Sequence, residues 1–164
     1  MAETDCSRQD EIEEPERHAF AMACRLLSRR EYSAQELLQR LSLKGFGAEI
    51  GARVLARLRE QNLQSDARFA EMFVNAKLSR GYGPRRLAAE LSQRGIAEDL
   101  IARYVDADPA AWRQAVKAAF RKRFKIAPQS ALERAKAQRY LRQKGFSSEQ
   151  IRYALRSGAD ENEL

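Results

Sequence analysis

The sequence predicts an all-α fold, three tandem three-helix repeats with about nine helices in an elongated, curved array. Three observations predict it. The run Leu41-Ser42-Leu43-Lys44-Gly45-Phe46 returns as Leu91-Ser92-Gln93-Arg94-Gly95-Ile96 and as Leu141-Arg142-Gln143-Lys144-Gly145-Phe146, in one register. Glycine, proline and capping residues fall at the ends of periodic segments and rarely inside them. The alternating β-branched runs that strands require are almost absent.

In the first repeat, Phe20, Ala23 and Leu27 give one apolar face to a helix over about 16–30. Ser33-Ala34-Gln35-Glu36 is a capping box that opens a second helix, which Gly45 closes. A third helix carries Ile50, Val54, Leu55 and Leu58. The second repeat starts with a helix over about 66–80. Gly83-Pro84 opens the next with proline at its first position, Gly95 closes it, and a third carries Leu100, Ile101, Tyr104 and Val105. Asp108 is the expected N-cap of a helix that starts at Pro109 and reaches about Phe124. A longer connection, Lys125-Ile126-Ala127-Pro128-Gln129, follows. Boxes at Ser130–Glu133 and Ser147–Gln150 open the last two helices, with Gly145 between them and Ile151 and Leu155 in the second. The resulting division is an acidic head over 1–17, repeats over 18–64, 65–108 and 109–158, and an acidic tail over 159–164. Both acidic ends lack periodicity and are expected to be disordered.

Charge is segregated along the chain. The net charge is +7 over 164 residues, yet residues 1–17 hold seven acids against two bases. Residues 112–159 hold thirteen bases and two acids, whereas residues 65–111 hold seven of each. A cationic concentration of this kind is a footprint for a polyanionic or acidic partner. No apolar run is long enough to span a membrane, and the acidic start does not read as a signal peptide, so a cytoplasmic location is expected. Cys6 and Cys24 are not expected to form a disulfide.

The motifs of catalysis are missing. His18 is the sole histidine and reads as a surface residue, and with two scattered cysteines it gives no zinc spacing and no catalytic triad. Gly81-Tyr82-Gly83-Pro84 lacks the lysine and the preceding strand of a phosphate loop. A binding protein is therefore expected, neither an enzyme nor the carrier of a cofactor or metal.

Three basic clusters are the candidate contacts. The first comprises Arg80, Arg85 and Arg86 around Tyr82. Tyr82 reads as an anchor because Tyr32 stands at the same register. Arg85 and Arg86 sit in a first helical turn, where cations oppose the dipole. They read equally as ordinary surface and as guanidinium forks for phosphate or carboxylate. The second cluster is Lys117, Arg121, Lys122, Arg123 and Lys125, interleaved with Phe120 and Phe124, which are expected to face the core with Trp112 or Val116. The third is Arg134, Lys136, Arg139, Arg142 and Lys144; Arg139 and Arg142 share one helical face, and Leu141 lies on another with Leu132 behind it. Few acids neutralise these last two helices, and they are the best candidates for contact with an acidic surface or a nucleic-acid backbone. Lys44, Arg94 and Lys144 recur before the glycine and read as cations that complement a helix C-terminus.

The residues resemble a family. Asn62-Leu63-Gln64-Ser65-Asp66-Ala67-Arg68-Phe69-Ala70, then Arg80-Gly81-Tyr82-Gly83-Pro84-Arg85-Arg86-Leu87 and Glu90-Leu91, is similar to the central motif of the bacterial RecX family. Arg30-Glu31-Tyr32-Ser33-Ala34-Gln35-Glu36-Leu37 and Arg139-Tyr140-Leu141-Arg142-Gln143-Lys144-Gly145-Phe146 resemble its N- and C-terminal motifs. The resemblance covers about residues 18–157 and implies three tandem three-helix repeats. It also implies a cytoplasmic regulator of the RecA recombinase, acting in homologous recombination, DNA repair and the SOS response. Such a protein binds the RecA–single-stranded-DNA filament in its groove, suppresses ATP hydrolysis, strand exchange and co-protease activity, and limits filament growth. The rival is a stand-alone nucleic-acid-binding protein of helix-turn-helix type. Single-stranded DNA beside the filament, and a monomer or an element-exchanged dimer, are left open.

Overall fold

The computed structural model of the chain describes residues 14–106 and 109–160, with side chains through Arg156. The expected Asp108 cap, most of the acidic head and the end of the acidic tail lie outside the described residues. Within them are nine helices and no strand: α1 (Glu14–Leu27), α2 (Ala34–Leu43), α3 (Ala48–Glu60), α4 (Asp66–Leu78), α5 (Pro84–Gln93), α6 (Glu98–Val105), α7 (Pro109–Arg123), α8 (Ala131–Lys144) and α9 (Ser148–Asp160). Residues 14–17, expected in the disordered head, form the first turn of α1. Glu14 and Glu16 complement the dipole there, Arg17 pairs with Glu14, and Arg53 holds Glu16 at 2.7 Å. Residues 159 and 160, assigned to the tail, end α9.

The repeated glycine closes its helix identically each time. Gly45, Gly95 and Gly145 have φ of 88°, 74° and 95°. The following N–H, of Phe46, Ile96 or Phe146, donates to the carbonyl of Leu41, Leu91 or Leu141 at 3.2 Å. This is the Schellman closure, which needs a left-handed residue that glycine adopts without a Cβ penalty. All three leucines are buried, so the same short run ends a helix and pins it to its core.

The chain divides into two compact units, one ending at Phe69 and the other beginning at Ala70. In the first, α1 and α2 pack on α3 around Ala19, Ala23, Tyr32, Leu37, Leu41, Val54 and Leu58. Ser33 Oγ caps α2 by accepting from the Glu36 N–H at 3.1 Å. The start of α4 is tied to this unit by polar contacts. The Ala34 N–H donates to Asp66 Oδ1 at 2.8 Å, Gln64 Nε2 donates to the Tyr32 carbonyl at 3.2 Å, and Arg68 Nε meets Glu31 at 2.8 Å.

In the second unit, α5 packs on α6, and α7 and α8 pack on α9. The core includes Phe73, Leu87, Leu91, Trp112, Val116, Phe120, Leu141 and Phe146. Trp112 Nε1 donates to the Val105 carbonyl at 2.7 Å, which joins α7 to the end of α6. Ser130 and Glu133 form the reciprocal capping box of α8, and Ser147 with Gln150 that of α9. Leu132 departs from expectation. It is 66% exposed rather than behind Leu141. Nine positions at about 100° each turn it half a revolution away from Leu141.

Candidate functional site

In the third repeat, Ala119 and Phe120 turn the buried side of α7 inward and leave Arg121, Lys122 and Arg123 exposed in its last turn. Phe120 and Phe124 stack at 5.5 Å, and Tyr140 of α8 meets the edge of Phe124 at 5.7 Å. These aromatics join α7 to α8 instead of offering a free stacking surface. Lys117 lies 5.6 Å from the ring of Tyr153 on α9. Lys125 is exposed in the connection. On α8, Ala137 and Leu141 face the core, and Arg139 and Arg142 point to solvent. Neither of these two arginines has an ion pair among the described residues.

The first and third clusters meet at one junction. The Gly83 N–H donates to the Lys144 carbonyl at 2.7 Å, and the Arg85 N–H to the Gly145 carbonyl at 3.1 Å. The free carbonyls at the end of α8 thus satisfy the free N–H groups at the start of α5. A Cβ on Gly83 would lie 2.4 Å from the Gly145 carbonyl carbon, and a Cβ on Gly145 would lie 2.4 Å from Arg86 Cβ. Around this contact three cations surround the half-buried Tyr82 ring: Lys144 at 4.5 Å, Arg86 at 4.6 Å and Lys77 at 4.9 Å. Tyr82 is an anchor, and Lys144 packs against it.

Glu90 balances the group. Lys77 Nζ donates to it at 2.8 Å and Arg86 Nε at 2.9 Å, with Arg94 at 3.9 Å. Burial pushes its carboxyl upward, but the hydrogen bonds and charges of Lys77 and Arg86 win and hold it below the usual range. Its hydrogen bond raises Arg86 in turn. Of the first cluster only Arg80 and Arg85 remain exposed cations without an ion pair among the described residues. Sequence reading missed Lys77 and Glu90. The i,i+4 spacing of Arg86 and Glu90 was available as a signal, whereas the approach of Lys144 was not.

Models of three consecutive domains match the chain. The first three-helix domain of RecX matches residues 19–58, the second 65–104 and the third 111–155. The chain belongs to the RecX family. Among curated relatives, the regulatory protein RecX of Chromohalobacter salexigens is 41% identical over 133 residues, covering 81% of this chain and 88% of that protein. That of Chromobacterium violaceum is 40% identical over 144 residues, covering 87% and 91%. The crystal structure of RecX from Lactobacillus salivarius superposes with a TM-score of 0.77 over 88% of this chain and 97% of that one. A second crystal structure of regulatory protein RecX gives 0.73 over 85% and 71%. At 17% and 23% identity these two establish the family's fold. No described helix is long and apolar enough to cross a membrane. Among the described residues, no group of three or more His, Cys, Asp and Glu could hold a metal ion.

Proposed function

We propose that this chain is a cytoplasmic, non-enzymatic regulator of RecA that needs no cofactor. It binds the RecA–single-stranded-DNA filament in its groove and restrains ATP hydrolysis, strand exchange, co-protease activity and filament growth. The observation that carries this reading is membership of a family whose curated relatives are named regulatory proteins, over nearly their full length. The charge of the third repeat supports it: Arg121, Lys122, Arg123 and Lys125, together with Arg139 and Arg142, present cations to an acidic or phosphate-bearing surface. Arg80 and Arg85 are the second contact. Lys117, Arg86 and Lys144 serve chiefly to pack against rings, and Arg86 also pairs with Glu90. The working division into repeats over 18–64, 65–108 and 109–158 goes with this reading.

The experiment is a titration of the chain against RecA-coated single strands, bare single strands and duplex DNA at physiological salt, with RecA's DNA-dependent ATPase read in parallel. Preferential binding to coated strands with loss of ATPase activity is expected. Sequence-selective binding to bare duplex would replace the reading with that of a stand-alone helix-turn-helix protein.

A further inference from the structure

We propose that the α7–α8 connection and the helices beside it form a docking groove for an acidic peptide segment that carries bulky aliphatic side chains. The three repeats differ most at this connection. The corresponding links span residues 28–33 and 79–83, whereas this one spans 124–130. It also places large apolar side chains in water. Ile126 is 70% exposed and Leu132, just inside α8, is 66% exposed. Two cavities of about 410 and 380 Å³ lie beside the connection and share Ala127 and Pro128. Phe124 and Ile126 give the first its apolar lining, and Leu155 contributes to the second.

The surroundings select the charge of the occupant. Lys125 and Lys136 border the first cavity, and Arg134, Arg152 and Arg156 the second. None of these five forms an ion pair among the described residues. The one acid in either lining, Glu133, is spent on the chain itself: its carboxylate accepts from the Gln129 N–H at 2.8 Å and the Ser130 N–H at 3.3 Å. An anionic ligand therefore meets five cations against one carboxylate, whose Oε2 is already engaged by main-chain N–H groups.

The exposed aliphatics separate peptide from nucleic acid. A single strand is gripped by free aromatic faces that stack on its bases. Here Phe124 is engaged by Phe120 and Tyr140, and the side chains offered to solvent are Ile126 and Leu132. Ile126, in a lining bordered by Lys125 and Lys136, fits leucine or isoleucine side chains flanked by Asp and Glu, and Leu132 is exposed one residue before Glu133 of the same lining. The proposal goes beyond RecA regulation, because such a peptide would bind with neither RecA nor DNA present.

The test uses the full chain and fluorescence anisotropy at physiological salt. Two labelled probes are compared, a short Asp/Glu-rich peptide with two leucines and the same peptide with serines in their place. The leucine peptide is expected to bind about tenfold tighter or more. Ile126→Ser with Leu132→Ser should erase that preference while leaving oligothymidylate binding unchanged. Both side chains are exposed, so the variant should keep its circular dichroism spectrum. Arg134→Glu with Arg156→Glu should weaken both peptides. Equal binding of the two peptides, or a preference that survives the serine variant, would overturn the proposal. Loss of oligothymidylate binding in the serine variant would assign the groove to nucleic acid instead. A dimer in sedimentation that the serine substitutions dissolve would assign it to a second copy of the chain.

Discussion

Glu90 shows how one carboxylate can hold two cations, Lys77 and Arg86, against the ring of Tyr82. Its folded pKa is depressed, so its contribution to stability is present above the ordinary carboxylate range, about 4.3, and is lost as the pH falls through the folded value. Glu90→Gln is expected to lower stability by about 1–3 kcal/mol at neutral pH, and the gap to the parent should close in acid. Urea titrations over a pH series check both. The glycines make a second case. Gly45 has open space where a Cβ would be, so Gly45→Ala meets only the left-handed backbone penalty, about 1 kcal/mol. Gly145→Ala adds a collision with Arg86, and Gly83→Ala, whose φ of −92° suits any residue, collides with the Gly145 backbone. Each should cost more than about 2 kcal/mol. Thermal melts showing all three variants alike would refute that ranking. The Schellman glycines were legible in the sequence because closure of a helix is a local affair. The crowding at Gly83 was not, since its partner lies in the next repeat.

Helix α8 is held at both ends by different means. Its N-terminus has a complete capping box, and Ser130→Ala should cost about 1 kcal/mol and let the first turn fray. Faster amide exchange at Leu132 and Glu133 would report it. Its C-terminus abuts the start of α5, which alters how Arg85 and Arg86 are understood. In the sequence they stand against an unfavourable dipole; in the fold the carbonyls of Lys144 and Gly145 meet that dipole head to tail. The exposed face of α8 carries the functional prediction. Arg139→Glu with Arg142→Glu should leave thermal stability near that of the parent and reduce inhibition of the RecA ATPase at least about tenfold. Inhibition unchanged in the folded variant would remove α8 from the contact. The capping boxes at Ser130 and Ser147 are legible in a few adjacent letters, whereas Leu132 faces solvent because it lies half a revolution from Leu141 around α8.

For the whole chain, the segregation of charge sets the dependence on ions. Binding that neutralises several phosphates or carboxylates with the third repeat should weaken steeply as salt rises. Log–log plots of affinity for RecA-coated strands against salt measure the slope, and the Arg139→Glu, Arg142→Glu variant should flatten it. The helix count and the repeat were legible because each of Gly45, Gly95 and Gly145 sits behind a buried leucine at a constant spacing. The candidate site was legible as composition and not as geometry. Which cations are engaged depends on Glu90, Tyr82 and Tyr153: Arg86 pairs with the first, Lys144 packs on the second and Lys117 on the third. The Gly83–Gly145 contact has a mechanical consequence. Main chain lies against main chain, and two hydrogen bonds cross the seam, so a load on α8 reaches α5 without passing through compliant side chains. A bound partner pulling on the third repeat would tug the second with it, and the two should let go in a single step instead of peeling away one after the other.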